Sequence, residues 1–405
     1  MNIKLAGLIA LSLSASFAWA QGSGEVSGDR VKIGVLNDRS GLYADLSGEG
    51  SVVAARMAVE DYGGEVLGTP IEIVSADHQN KPDVGASVAR EWFDVAGVDM
   101  ITDVPTSSVA LAVQEVAREK NRVFIDSGAG STALTNESCT PTSFHWTYDT
   151  YALAVGTGQA VVQEGGDSWF FITADYEFGQ SLEENTARIV EANGGQVLGE
   201  VRHPLSTGDF SSYLLQAQGS GAKVIGLANA GTDTTNAIKQ ASEFGIVQSG
   251  QQLAGLLLFI SDIHSLGLET AQGLVLTTGF YWNLNDKTRA WSERFFERHG
   301  AMPTMVQAGV YSGVLHYLEA IEAAGTDEAQ AVAGQMREMP VDDGILTDNG
   351  TVQANGRMAH DMYLAEVKSP DASERDWDYY TIVRTIPAAE AFIPLSESTC
   401  SLVSE

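Results

Sequence analysis

The chain has 405 residues, of which 44% are hydrophobic and 8% aromatic, with 42 glycines against 10 prolines. That length holds two domains with real cores, and the composition excludes general disorder and a proline-rich stalk. Lys+Arg 23 against Asp+Glu 53 leaves a formal charge of -30, a field that repels phosphate backbones and anionic lipid and so argues against nucleic-acid and membrane-surface partners.

Met1 and Lys4, the apolar run Leu5 to Ala18, and Ala18-Trp19-Ala20 before Gln21 follow the order of a cleaved secretory leader. The run is too short to span a bilayer. Residues 1–20 are therefore expected to be removed, leaving a soluble chain in the periplasm. The first cysteine is Cys139, so no thiol stands near the cut for lipid attachment. Cys139 and Cys400 are the two cysteines, and an oxidising compartment makes them a disulfide that ties the C-terminal tail to a loop near residue 139.

From Val31 onward, β-branched runs alternate with amphipathic stretches. Residues 31–37, 70–77, 98–104 and 122–128 read as strands, and 50–64, 84–96 and 107–119 as helices. A second series follows, with strands at 168–175, 196–204, 222–229, 253–259 and 273–282. Its helices are expected over most of 147–165 and at 178–195, 232–244, 286–299, 306–324 and 328–338. Residues 351–370 and 378–386 read as hairpin strands. Repeated β-α-β units call for an α/β fold with parallel sheets wrapped in helices.

No HExxH, G-x-S-x-G, phosphate loop or CxxC occurs, and no histidine pair has ligand spacing within one element. Neither catalysis, a metal nor a cofactor is therefore expected; a secreted hydrolase would need a nucleophile paired with a base, and none stands out. Gly48-Glu49-Gly50 lies too far beyond its strand, and lacks the third glycine, to be a dinucleotide turn. Polar clusters do stand at strand C-termini, where open parallel sheets bind ligands: Asp38-Arg39-Ser40-Gly41-Leu42-Tyr43, Pro105-Thr106-Ser107-Ser108, and Ser127-Gly128-Ala129-Gly130-Ser131. Together they suggest a cradle for an anion or carboxylate, although Ser107 alone would also suit an ordinary helix cap.

The runs VKIGVLNDRSGLYAD, AARMAVEDYGG, DVPTSSVALAV, ADYEFG and GVYSGVLHYLEA resemble the leucine/isoleucine/valine-type periplasmic binding proteins of ABC transporters, over nearly all of the chain after the leader. The resemblance implies two Rossmann-like lobes joined by three hinge crossovers, one from 21–148 with 277–355 and the other from 149–276 with 356–405. It implies capture of a small carboxylate by cleft closure, and delivery to an inner-membrane ABC permease by a monomer. Ser107, Ser108 and the loop Gly128, Ala129, Gly130 and Ser131 would hold the carboxylate, with Arg39 either an ion partner or a rim residue. Tyr176 or Phe178 takes the place of an aromatic residue that, with an acid after the 253–259 strand, here Asp262, cages an ammonium group. Ala228-Asn229-Ala230 stands where a bulky aromatic often lies. With Tyr43, Tyr148 and Tyr151, and with Trp146 and Phe280-Tyr281-Trp282 as either ligand-facing or packing residues, this widened cleft suggests an aromatic acid of the benzoate, hydroxycinnamate or phenylpyruvate type. A branched-chain amino acid or a short amide or urea is the alternative.

Overall fold

The computed structural model describes residues 26–403, so the expected leader lies outside the described residues. Six strands form the first sheet: β1 (Val31–Asn37), β2 (Glu65–Val66), β3 (Thr69–Asp77), β4 (Met100–Asp103), β5 (Val123–Asp126) and β6 (Ser143–His145). Their spatial order is β2-β3-β1-β4-β5-β6, parallel throughout except for the short β2–β3 pair. The chain leaves β1 to one side for β3 and returns to the other side for β4. That reversal opens a crevice beyond the carboxyl ends of β1 and β4.

The second sheet repeats the device. β7 (Ser168–Ala174), β8 (Gln196–His203), β9 (Val224–Ala228) and β10 (Gln252–Gly255) lie parallel in the order β10-β9-β7-β8, reversing between β7 and β9. Beside it, β11 (Val275–Thr278) joins an antiparallel sheet with β14 (Met362–Val367) and β15 (Tyr380–Ile386), while β12 (Thr351–Val352) and β13 (Met358–Ala359) form a small hairpin.

Between the two halves the chain crosses three times. The segments that follow β6, β11 and β13 meet where His360 Nε2 bonds the Thr147 carbonyl at 2.7 Å and where a Cβ on Gly279 would lie 3.0 Å from His360. After the second crossing, helices Asp286–His299, Met305–Ala324 and Ala329–Glu338 return to cover the first lobe, the long one packing along helix Gly48–Tyr62. Gly50 makes that packing possible, since a Cβ there would strike the Gln307 side chain at 2.1 Å. Cys139 and Cys400 are bonded, with Cα atoms 5.7 Å apart. The tail is thereby fastened to the first lobe.

The α/β alternation follows the sequence expectation, with one change that matters for the site. Residues 253–259 were expected to be a full strand, but β10 ends at Gly255, and Leu256 to Phe259 leave the sheet toward the cleft. An apolar run marks burial without saying whether a sheet or a cleft does the burying.

Candidate functional site

The two crevices face each other. Tyr43 and Leu46 enter from beyond β1, Pro105 from β4, Gly128 from β5 and Tyr148 from β6, while Tyr176 and Phe178 come from beyond β7, Ala230 from β9, and Leu257 and Phe259 from β10. The space left among these side chains is about 10 Å³, at most room for a single water and far too little for a solute. The lobes are closed on each other, so a solute enters only when they part.

The closure is made by named contacts. Tyr43 and Tyr176 hydroxyls meet at 2.5 Å across the lobes, Ser131 Oγ donates to Glu177 Oε1 at 2.6 Å, and Thr232 N donates to the Leu42 carbonyl at 3.4 Å. Gly231 permits the last of these. Its φ is +60°, and a Cβ would come within 2.4 Å of the Leu42 oxygen. Gly130 does the same for the floor of the cleft, where a Cβ would stand 2.8 Å from the Phe178 ring.

The loop after β5 is wired from within its own lobe. Gly128 N and Ala129 N both donate to Asp126 Oδ1 at 2.9 Å, and Gly130 N and Ser131 N donate to Ser107 Oγ at 3.3 and 3.2 Å. Ser107 is fully buried at the start of helix Ser107–Lys120 and sits behind this loop. Ser108, half-buried on the same helix, is not among the lining residues. Burial pushes the Asp126 and Asp103 carboxyls up, each leaving one oxygen without a partner. These two residues are register neighbours on β4 and β5.

The remaining sequence candidates lie elsewhere. Arg39 pairs with Glu49 and does not line the cleft. Asp262 also stays out: its Oδ2 accepts from Phe259 N at 2.9 Å to cap helix Ile260–Leu266, and burial raises its pKa to about 7. The chain beyond β10 therefore brings Leu257 and Phe259 into the cleft where an acid was expected. Asn229 is held by His203 at 3.0 Å and Thr234 at 2.7 Å inside the second lobe. Tyr151 is half-buried under the Arg188 guanidinium, 5.4 Å from the ring centre.

Trp146 donates to Ser312 Oγ at 2.9 Å and Trp282 to the Trp377 carbonyl at 2.8 Å, while Phe280 packs edge-on to Trp291 and Tyr281 reaches Asp378. These rings are packing residues around the crossovers. Pro105 lies in one of the strand-end clusters read from the sequence, whereas Leu46, Leu257 and Phe259 carry no such signal, because nothing in an apolar residue's spacing separates a cleft from a core.

What the arrangement offers is an apolar slot with few polar contacts. Five of the ten lining residues carry aromatic rings, and none is charged. Tyr148 stands edge-on to Phe259, their centres 6.3 Å apart, and its hydroxyl donates to the Gly128 carbonyl at 2.6 Å. Burial holds the Tyr43 and Tyr176 phenols well above their ordinary range, so both keep their protons. Among the described residues no group of His, Cys, Asp and Glu is placed to hold a metal ion.

Comparison with known proteins adds four findings. The model of a family described as periplasmic binding protein matches residues 30–373. A periplasmic binding protein of Burkholderia mallei, solved by crystallography, is 54% identical, covers 93% of this chain and 100% of its own, and superposes with a TM-score of 0.91. A branched chain amino acid ABC transporter periplasmic ligand-binding protein from Burkholderia xenovorans LB400 is 41% identical over 92% of this chain and 100% of its own, with a TM-score of 0.82. Among curated proteins, a Leu/Ile/Val-binding protein homolog 6 of Brucella melitensis is 27% identical over 94% of this chain and 95% of its length.

Proposed function

The chain belongs to the periplasmic binding protein family, and from that premise we propose that it captures a small aromatic acid and presents it to the permease of an ABC importer. Capture proceeds by closure. The open form admits the solute, contacts from both lobes favour the closed form, and the closed form docks on the permease. The observation that carries the choice of solute is the lining: rings of Tyr43, Tyr148, Tyr176, Phe178 and Phe259 with Leu257 and no charged side chain. A flat ring gains dispersion and edge-to-face contacts in such a slot.

The carboxylate of the solute has its best donors in Gly130 N and Ser131 N, which would exchange Ser107 Oγ for it. Their bonds to Ser107 Oγ, 3.3 and 3.2 Å, are longer than those of Gly128 N and Ala129 N to Asp126, so they are the pair most readily traded. The description of the 41% identical relative favours a second reading, a branched-chain amino acid. An ammonium group, however, would find no carboxylate among the lining residues. Calorimetric titration with benzoate, 4-hydroxybenzoate, hydroxycinnamate and leucine decides between them: heat from the acids and none from leucine is expected. Tight leucine binding with no response to any aromatic acid returns the protein to the amino-acid reading.

A further inference from the structure

We infer that the Tyr43–Tyr176 hydroxyl pair reads an uncharged hydroxyl on the ring of the solute, so that the preferred ligand is a phenolic acid. The inference rests on the aromatic-acid reading and adds to it the far end of the molecule. Tyr43 belongs to the first lobe and Tyr176 to the second, and their hydroxyls touch at 2.5 Å only because the lobes are closed. Any solute that parts the lobes breaks this bond. The buried phenol of Tyr43 and the half-buried phenol of Tyr176 then need partners, each able to donate and to accept.

Within the first lobe the polar atoms around the slot are already used: Tyr148 donates to the Gly128 carbonyl, and Gly128 N and Ala129 N donate to Asp126. The Ser131–Glu177 bond also crosses between the lobes, but it belongs to the loop held by Ser107, at the carboxylate end. The phenol pair is thus the one polar feature that a ligand must satisfy away from the Ser107 loop.

Three kinds of group can be set between the phenols. A hydrogen atom, as in benzoate, leaves both hydroxyls unpaired, and sites built for a hydroxyl reject analogues that lack one. A second carboxylate supplies acceptors but brings a charge. No Lys or Arg lines the slot to pair with it. An unpaired anion buried there is strongly disfavoured. A hydroxyl accepts from one tyrosine, donates to the other and carries no charge.

The test is a titration of the full mature protein and of Tyr43→Phe and Tyr176→Phe with benzoate, 4-hydroxybenzoate and terephthalate, with thermal melts showing that each variant is folded. The wild type is expected to bind 4-hydroxybenzoate at least tenfold more tightly than the other two, and the ratio to benzoate is expected to fall toward one in either variant. Equal wild-type affinity for benzoate and 4-hydroxybenzoate, or a ratio that survives both substitutions, overturns the inference while leaving the aromatic-acid reading intact. Failure of all three acids to bind overturns both.

Discussion

The loop Gly128–Ser131 in the first lobe and the loop Leu256–Phe259 in the second face the same slot from opposite sides and are built on opposite principles. In the first, four successive amides each have an acceptor within their own lobe, Asp126 Oδ1 or Ser107 Oγ. In the second, Leu257 and Phe259 reach the slot as apolar side chains. One surface is rigid and polar before any ligand arrives, so little ordering entropy is lost on binding. The other is an apolar cover that contributes by area, about 25 cal/mol per Å² removed from water. The polar floor carries the local strain. Asp103 and Val104 have φ of +86° and +51°, costly for a β-branched residue, and they turn the chain so that Pro105 lies against Gly128, where a Cβ would clash at 2.7 Å.

Separating floor from cover altogether is expected to have the largest effect. Arg357, buried at the third crossing, donates to the Tyr148 carbonyl at 3.0 Å, lies 3.5 Å from Asp149 Oδ2 and sits 4.6 Å over the Phe392 ring. Burial draws its pKa down to about 10. Arg357→Met leaves Asp149 buried without its cation, and urea denaturation should show a loss of about 3–5 kcal/mol. A loss below about 1 kcal/mol would mean that the crossings are held by packing alone.

Next comes the covalent tie. Cys139→Ser with Cys400→Ser frees the tail from the first lobe and should cost about 2–4 kcal/mol in the same assay. An unchanged unfolding midpoint would show that the tail contributes nothing to holding the fold.

Ser107→Ala acts on the floor itself. It removes the acceptor shared by Gly130 N and Ser131 N, so stability should fall by about 1–3 kcal/mol and hydrogen exchange at those two amides should accelerate. Exchange that stays slow would place their acceptor elsewhere.

The smallest effect on ligand binding belongs to Asp262→Asn, because Asp262 caps Phe259 N and does not line the slot. Calorimetric affinity should be unchanged. Its signature is in pH instead. With the folded carboxyl raised to about 7 and an unfolded carboxyl near 3.9, the native state holds the extra proton between these values. The contribution to stability is full below about pH 4 and is lost as pH rises through about 7, with a slope of at most about 1.4 kcal/mol per unit. The asparagine variant should lack that slope. An identical pH profile in both proteins would contradict the buried cap.

The contrast between floor and cover also separates what the sequence disclosed from what it withheld. Runs such as Val31–Asn37 and Ser168–Ala174, each followed by an amphipathic helix, announce parallel β-α-β units. Loops at strand ends then locate the cleft in general terms. Which atoms remain available there is a different matter. Ser107 looks ready for a ligand until its bonds to residues 23 and 24 positions away are known. Asp262 looked like an ammonium partner because it follows an apolar run, yet its carboxylate turns back on the chain to Phe259 N. The run Leu256 to Phe259 read as sheet because apolar residues report burial alone, and its place in the cleft depends on the opposite lobe.

The central claim, that an apolar cover over a polar floor selects an aromatic acid over an amino acid, is tested most directly by the ratio of benzoate-type to leucine affinity in the wild type and in Leu257→Asp. An acid at 257 puts a carboxylate into the slot beside Tyr148 and Phe259. It should repel the aromatic acid and supply the missing partner for an ammonium group. The predicted result is a wild type that binds 4-hydroxybenzoate and not leucine, with the variant losing at least tenfold in affinity for the acid while its relative affinity for leucine rises. A wild type that binds leucine tightly, or a variant whose ratio matches the wild type, would contradict the account.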